Sequence, residues 1–389
     1  MSGLSGRHIA RIGSARKKIL IVAGEASGDL YGGLLIREVT RMSRGVVFFG
    51  VGGASMRKAG LYPLVRSEDI TVVGLFEVIR HLGTIKKALG RVIASIDALV
   101  PDLVVLIDFP DFNFRVARAA KKAGVPVFYY ISPQVWAWRR GRVKTLAGLV
   151  DKMVVIFPFE VDVYREAGVD VEFFGHPLMD VMSAAEHGPA ARTRTGRVVA
   201  LLPGSRKGEV RRHMPVMLGA ARIIREAARD VSFVILLAPT LSRSDIEPYL
   251  PDGPAGTSVS RGEFLEVVRG ADAAIVSSGT ATVQTALAGT PMVVIYRLNE
   301  LTYLLARLLV RVPYIAMVNL ISQRKVVPEL IQHEAAPERI ARELLSILGD
   351  EAARKRMEED LAEVRKRIGG PGASRRVAER IIGILGDEV

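Results

Sequence analysis

Asp108 closes the apolar run "DLVVLID" (102–108), with Pro110 two residues further on. A carboxylate at the lip of a buried strand is partly desolvated, which nudges its pKa upward and suits it to take a proton from a hydroxyl. Pro110 limits how the chain continues, so Asp108 is expected in an extended conformation. Asp111 and Asn113 fall where the next helix should start, and capping is enough to explain either. Beyond the following strand the chain builds an aromatic and basic stretch, "SPQVWAWRRGR", with Trp136, Trp138, Arg139, Arg140 and Arg142. Large aromatics serve cores as well as sites, so the tryptophans admit both readings.

Three further turns could meet a ligand. In "AGEASGDLYGG", Glu25, Ser27, Gly28 and Asp29 share one loop ahead of a helix. Two carboxylates there would repel a phosphate, and GxGxxG is absent; sugar hydroxyls match carboxylate acceptors better, while helix capping by Ser27 or Asp29 is the plain alternative. In "LLPGSRKGEVRRH", Gly204 and Ser205 form a turn whose N–H groups could clamp a pyrophosphate with Arg206. GxSxG is missing, so Ser205 is not read as a nucleophile. In "SSGTATVQTALAG", Ser278, Gly279 and Thr280 would open a helix onto the same ligand. Each turn alone could be helix capping; two converging in one half of the chain favour a nucleotide diphosphate. No metal-ligand spacing occurs among the six dispersed histidines, so arginine and helix ends would have to stabilise a diphosphate leaving group. His176, in "GHP", either lines a cleft or is a satisfied structural histidine.

The elements that must carry these turns are runs of uniformly apolar residues alternating with helical stretches. Strands are expected at 17–24, 46–53, 102–108, 125–131, 151–157 and 171–175, and again at 197–204, 231–239, 273–279 and 291–297. Such runs belong to parallel sheets buried on both faces. The fold expected is α/β, two doubly wound Rossmann-like domains facing across a cleft, with ligands beyond the carboxyl ends of the strands. A loose basic leader, 1–16, precedes the N-terminal domain, 17–181. A small polar linker, 182–196, leads to the C-terminal domain, 197–349. A charged helical tail, 350–389, ends in the apolar stripe "VAERIIGILG", which must pack on the first domain or a partner subunit.

Composition narrows the partners. The chain has 389 residues, 49% hydrophobic and 24% charged, with a net charge of +13 and no cysteine. Thiol chemistry and disulfides are excluded, and a reducing compartment fits. The charge calls for an anionic partner. Basic residues scattered among apolar helices, without a recognised module, argue against nucleic acid; a membrane surface accommodates both charge and apolarity. No secretory signal is read in the leader. The segment 70–83, with Val72, Val73, Leu75, Phe76 and Ile79, precedes Lys86, Lys87 and Arg91 and suits either an interface or a core helix. Arg307, Arg311 and Pro313 interrupt 301–321, which reads as a short amphipathic helix followed by a strand; Leu301, Leu304, Leu305 and Leu308 share one face, read as a core-facing stripe ahead of the lipid-facing alternative.

The motifs "VAGEASGD", "GVGG", "IDFPDFN", "SPQVWAWR", "PFE", "GHP", "LLPGSR", "SSGT", "PMVVIYR" and "NLI" followed by "VPEL" occur in the order seen in lipid-A-disaccharide synthases, and the chain resembles that family from about residue 18 to about 345. The resemblance implies a metal-independent GT-B glycosyltransferase needing no cofactor. It would join UDP-2,3-diacylglucosamine to 2,3-diacylglucosamine 1-phosphate (lipid X), as a peripheral protein on the cytoplasmic face of the inner membrane. It also implies Asp108 as base, Arg206 and the 278–280 turn at UDP, Asn319 near the nucleotide, 70–83 at acyl chains, and dimers in some members. Trp136 and Trp138 would then supply apolar faces, with Arg139, Arg140 and Arg142 meeting phosphates. Gln284 stands where Glu is expected to accept from ribose hydroxyls, so that contact is weaker or made elsewhere. Rival readings are another UDP-sugar transferase or a UDP-sugar epimerase of this fold, and a basic membrane- or nucleic-acid-binding protein; the last leaves Asp108 and the paired turns idle.

Overall fold

The computed structural model describes residues 6–70, 75–134, 141–184, 196–309 and 312–386. They form two compact units, one from Met1–Asp180 with Gly369–Val389, the other from Val181–Ile368. The first unit holds a seven-stranded parallel sheet: β1 (Lys17–Ala23), β2 (Val46–Gly52), β3 (Tyr62–Arg66), β4 (Leu103–Ile107), β5 (Val127–Tyr130), β6 (Lys152–Val155) and β7 (Val171–Phe173). Its spatial order is β3-β2-β1-β4-β5-β6-β7. The second holds β8 (Arg197–Leu202), β9 (Val231–Leu236), β10 (Thr257–Ser260), β11 (Ala273–Ser277), β12 (Met292–Tyr296) and β13 (Glu329–Ile331), ordered β10-β9-β8-β11-β12-β13. All pairings are parallel. This is the doubly wound α/β architecture expected for each half.

The central strands carry the cores. Ile19 to Val22, Val104 to Ile107 and Val199 to Leu201 are wholly buried, each large aliphatic contributing about 1.5–3 kcal/mol. Both strand orders reverse beside the first strand, between β1 and β4 and between β8 and β11. In such sheets the crevice for a ligand opens there, at the carboxyl ends.

Three expectations change. The leader is not loose: Gly6–Gly13 is a helix with Ile12 fully buried, and the His8 ring lies 5.1 Å from that of Tyr62. The stretch 301–321 contains two helices, Glu300–Leu309 and Met317–Ser322, rather than a helix and a strand. At the entry to the second, the Glu329 carboxylate accepts from the Ile315 and Ala316 N–H groups at 2.9 and 3.1 Å and holds the chain where that helix starts. Leu304, placed on a core-facing stripe, is 55% exposed. The tail divides. Helix Glu351–Arg367 packs on Thr280–Ala288 and Met317–Ser322 in the second unit. Helix Ala373–Leu385 lies on Ala26–Met42 in the first, burying Val377, Ile381, Ile382 and Leu385. Asp180 accepts from the Gly372 and Ser374 N–H groups where the chain re-enters that unit. Among the described residues no helix is long and apolar enough to cross a membrane.

Candidate active site

In the first unit β1 and β4 end in register, Ala23 opposite Ile107, so the loop from Gly24 and the turn at Asp108 emerge side by side. Gly24 must lack a side chain, since a Cβ there would come within 2.4 Å of the Phe109 ring. Asp108 and Phe109 are both left-handed, at φ 44° and 49°, which costs roughly 1–2 kcal/mol per residue. The extended Asp108 expected from Pro110 is therefore wrong. The restriction falls on Phe109, directly before the proline, and hydrogen bonds fix Asp108. Its N–H donates to the Ile131 carbonyl at 3.0 Å. Its carbonyl accepts from the Tyr129 hydroxyl at 2.6 Å and the Asn113 amide at 2.8 Å. Asn113 also reaches the Ile107 carbonyl at 3.2 Å, so it clamps the turn rather than simply capping a helix. Burial, then the Asp108 charge, raises the Tyr129 pKa well above the usual phenol value, which keeps its proton available to the Asp108 carbonyl.

The neighbouring acids divide their work. Asp29 is buried, and its carboxylate accepts from the Gly53, Ser55 and Met56 N–H groups at 2.7, 2.9 and 3.0 Å. It caps the short helix Ala54–Lys58 and is no longer a free acceptor for a sugar. Gly28 is buried against Ile107, while Glu25 and Ser27 stay partly accessible. Arg142, expected at phosphates, instead pairs with Asp111 at 2.7 Å and lies over the Phe114 ring. Trp136, Trp138, Arg139 and Arg140 lie outside the described residues, as do Val72 and Val73. Leu75, Phe76 and Ile79 belong to helix Leu75–Leu99, but their side chains lie outside the description. The stretch leading to the tryptophans is anchored by Glu160 of "PFE", which accepts from the Ser132 hydroxyl at 2.6 Å and the Phe157 N–H at 3.1 Å. Tyr164 adds a bond to the Pro133 carbonyl at 3.0 Å. His176 is the satisfied structural histidine: buried, its Nδ1 accepting from Leu178 N–H, its pKa lowered to about 3 by burial.

In the second unit the corresponding turns follow β8 and β11. Gly204 is left-handed at φ 116°, and a Cβ would sit 2.3 Å from Glu209 Oε2. That buried carboxylate accepts from the Ser205 N–H at 3.0 Å, so this N–H, expected at a pyrophosphate, already has a partner. Arg206 stands 3.6 Å from Glu209, its side chain 39% exposed. His213 ties the turn to β12. The Pro203 carbonyl can only accept, so Nδ1 donates to it at 2.8 Å, and Nε2 accepts from the Arg297 N–H at 3.0 Å. Burial lowers its pKa to about 4 and keeps this neutral tautomer. At the other turn, Ser278 donates through N–H to Ile295 and through Oγ to Ile315, at 3.0 and 3.2 Å. Gly279 and Thr280 stand exposed at the start of helix Thr280–Ala288, with Gln284 half-buried one turn on. Asn319 is fully buried. Its amide donates to Val327 and Glu329 and accepts from Val326 and Val327, so it shapes a loop from within.

Sequence reasoning missed His213, Glu209, Glu160 and Glu329. All four lie in quoted stretches, Glu209 and His213 in "LLPGSRKGEVRRH", Glu160 in "PFE" and Glu329 in "VPEL". Among the described residues no group of three or more histidines and acids could hold a metal.

Residues 19–379 match the lipid-A-disaccharide synthetase family. The lipid-A-disaccharide synthase of Syntrophus aciditrophicus is 49% identical over 372 residues, covering 93% of this chain and 96% of that one. The chain belongs to the lipid-A-disaccharide synthase family. The synthase of Geobacter metallireducens is 46% identical, with 95% and 98% covered. This places the chain among the glycosyltransferases of lipid A biosynthesis. Solved structures share this chain's fold at low identity. They include a UDP complex of MnaA from S. aureus, TM-score 0.67 and 12% identity over 95% of this chain and 97% of that one. The kitacinnamycin glycosyltransferase gives 0.63 and 17%, over 95% and 100%.

Proposed function

We propose that the chain transfers the 2,3-diacylglucosamine unit of a UDP sugar to the 6-hydroxyl of 2,3-diacylglucosamine 1-phosphate, inverting the anomeric centre and releasing UDP, in peripheral contact with the anionic inner membrane. The observation that carries this reading is the coincidence of motif and topology. "GEASGD" and Asp108 lie at the switch point of one sheet, and "PGSR" and "SSGT" at that of the other. The carboxylate of Asp108 accepts the hydroxyl proton as the new O–C bond forms and the bond from the anomeric carbon to the diphosphate oxygen breaks. Displacement in one step requires a single base and no covalent enzyme intermediate. The charge left on UDP is met by the Arg206 guanidinium and by the N-terminus of helix Thr280–Ala288. Glu25 and Ser27 are assigned to sugar hydroxyls. His213, Glu209 and Asn319 support the nucleotide turns without touching the ligand.

Incubation with both diacyl substrates and mass analysis of the lipid fraction tests the reading. A disaccharide monophosphate with one UDP released per product is expected. Hydrolysis of the donor alone, or no product, would contradict it.

A further inference from the structure

Outside these turns, the first unit carries a cavity of about 300 Å³ between β3 and helix Leu75–Leu99. Pro63, Leu64, Val65, Ile70 and Ala88 contribute apolar lining, while Arg66, Lys87 and Arg91 supply three cations against one acid, Asp69. Thr84, Lys87, Ala88 and Arg91 follow i, i+3, i+4 and i+7 spacing, so helical geometry gathers them on one face. Arg66, at the end of the edge strand β3, brings the third cation from a different element. All three are exposed, and none has an acid within ion-pair distance among the described residues. With Asp69 in the lining and Glu68 feeling the Arg66 charge, the three cations on this small apolar-floored cavity are only partly offset and still repel one another. An anion with an apolar neighbour relieves that repulsion, and a phosphate ester offers oxygens to several donors at once.

We infer that this cavity binds the phosphate headgroup of an anionic bilayer lipid. The inference rests on the peripheral-enzyme reading only for its choice of ligand. The acceptor's own phosphate is a poor candidate on distance. β3 and β4 are three strand spacings apart, roughly 14 Å, so Arg66 and Asp108 end strands farther apart than one sugar ring spans. The cavity is thus a second phosphate site on the same edge of the sheet, holding a lipid while the substrate is held at Asp108.

The test compares the full chain with R66A/K87A/R91A and with a control of equal charge change on the second unit, K325A/K355A/R356A. Binding is measured to phosphatidylcholine vesicles with and without 25 mol% phosphatidylglycerol, and turnover is measured with detergent-dispersed substrates. The cavity variant should lose at least about tenfold in affinity for the anionic vesicles, the control less than about twofold, and both should turn over normally in detergent. Equal losses would mean diffuse attraction by net charge and would overturn the site. So would undiminished vesicle binding, or reversal of wild-type binding by millimolar inorganic phosphate at constant ionic strength, which would mark a free-anion site. Collapse of detergent turnover in the cavity variant alone would assign the cavity to the acceptor instead. A wild-type chain without turnover would refute the transferase reading, while the vesicle comparison would still decide the cavity.

Discussion

A left-handed Asp108 persists because its carbonyl is held by Tyr129 and Asn113. Tyr129→Phe removes one of these bonds and leaves the other, so it should cost about 1 kcal/mol of stability. Turnover should fall while UDP affinity, which the proposed function assigns to the second unit, stays unchanged. Steady-state kinetics with a UDP titration would separate the two, and loss of UDP affinity would contradict the assignment. Asp108 was legible because it ends an apolar run beside a proline. Its backbone was not, because the partners that fix it lie on β5 and inside the following helix. The buried histidines give a pH prediction. His213 and His176 titrate at about 4 and about 3 in the folded chain against 6.5 when exposed. Between these values the unfolded chain binds protons that the folded one does not. Their contribution is therefore complete above pH 6.5 and lost as the pH falls toward 4, at up to about 1.4 kcal/mol per pH unit for each histidine. Urea unfolding at pH 7, 6 and 5 should show this decline, and a flat profile would contradict the neutral burial of both rings.

Elements at the centre of each sheet announce themselves; of the four edge strands only β7 did. β1, β4, β8 and β11 are buried on both faces and read as unbroken apolar runs. The strands that escaped notice are β3, "YPLVR", which carries a proline; β10, "TSVS", which is polar; and β13, "ELI", three residues long. All three are edge strands, where one side needs no ladder partner and weaker β-formers are tolerated. The strand-to-helix turns were legible from glycine, but their bracing was not: Glu209 reaches back only four residues to Ser205, which nothing in its type or spacing announces, and Glu329 braces 315–316, which only the fold brings near. The Gly204 turn permits a controlled test. Gly204→Ala meets both an unfavourable φ and the Glu209 carboxylate, so it should lose roughly 1–2 kcal/mol of stability and also weaken UDP binding. Gly256→Ala, at φ 87° with no contact closer than 3.7 Å, should pay the backbone cost alone. Equal UDP affinities in the two variants, by calorimetry, would separate the turn from the nucleotide site.

At the scale of the whole molecule, the chain leaves the first unit at Asp180 and returns to it at Gly369. The last helix covers Ala26–Met42 with Val377, Ala378, Ile381, Ile382 and Leu385, all buried. At about 1.5–3 kcal/mol for each large aliphatic, that cover is comparable to the whole stability of an ordinary domain. A chain ending at Ile368 should therefore keep a folded second unit and lose the first. Limited proteolysis would then cut within 17–180 and spare 197–368; resistance of both halves would contradict this packing. The apolar stripe at the carboxyl end was legible as something that must be covered. Its partner was not, because the covering surface lies at the other end of the sequence. The proposed function divides the labour between the units, base in one and leaving group in the other. Asp108→Asn, measured in single turnover with saturating diacyl substrates, addresses it most directly. The rate should fall by roughly 10²–10⁴-fold with the thermal shift on adding UDP preserved. A near-normal rate, or a UDP shift lost together with the rate, would contradict it.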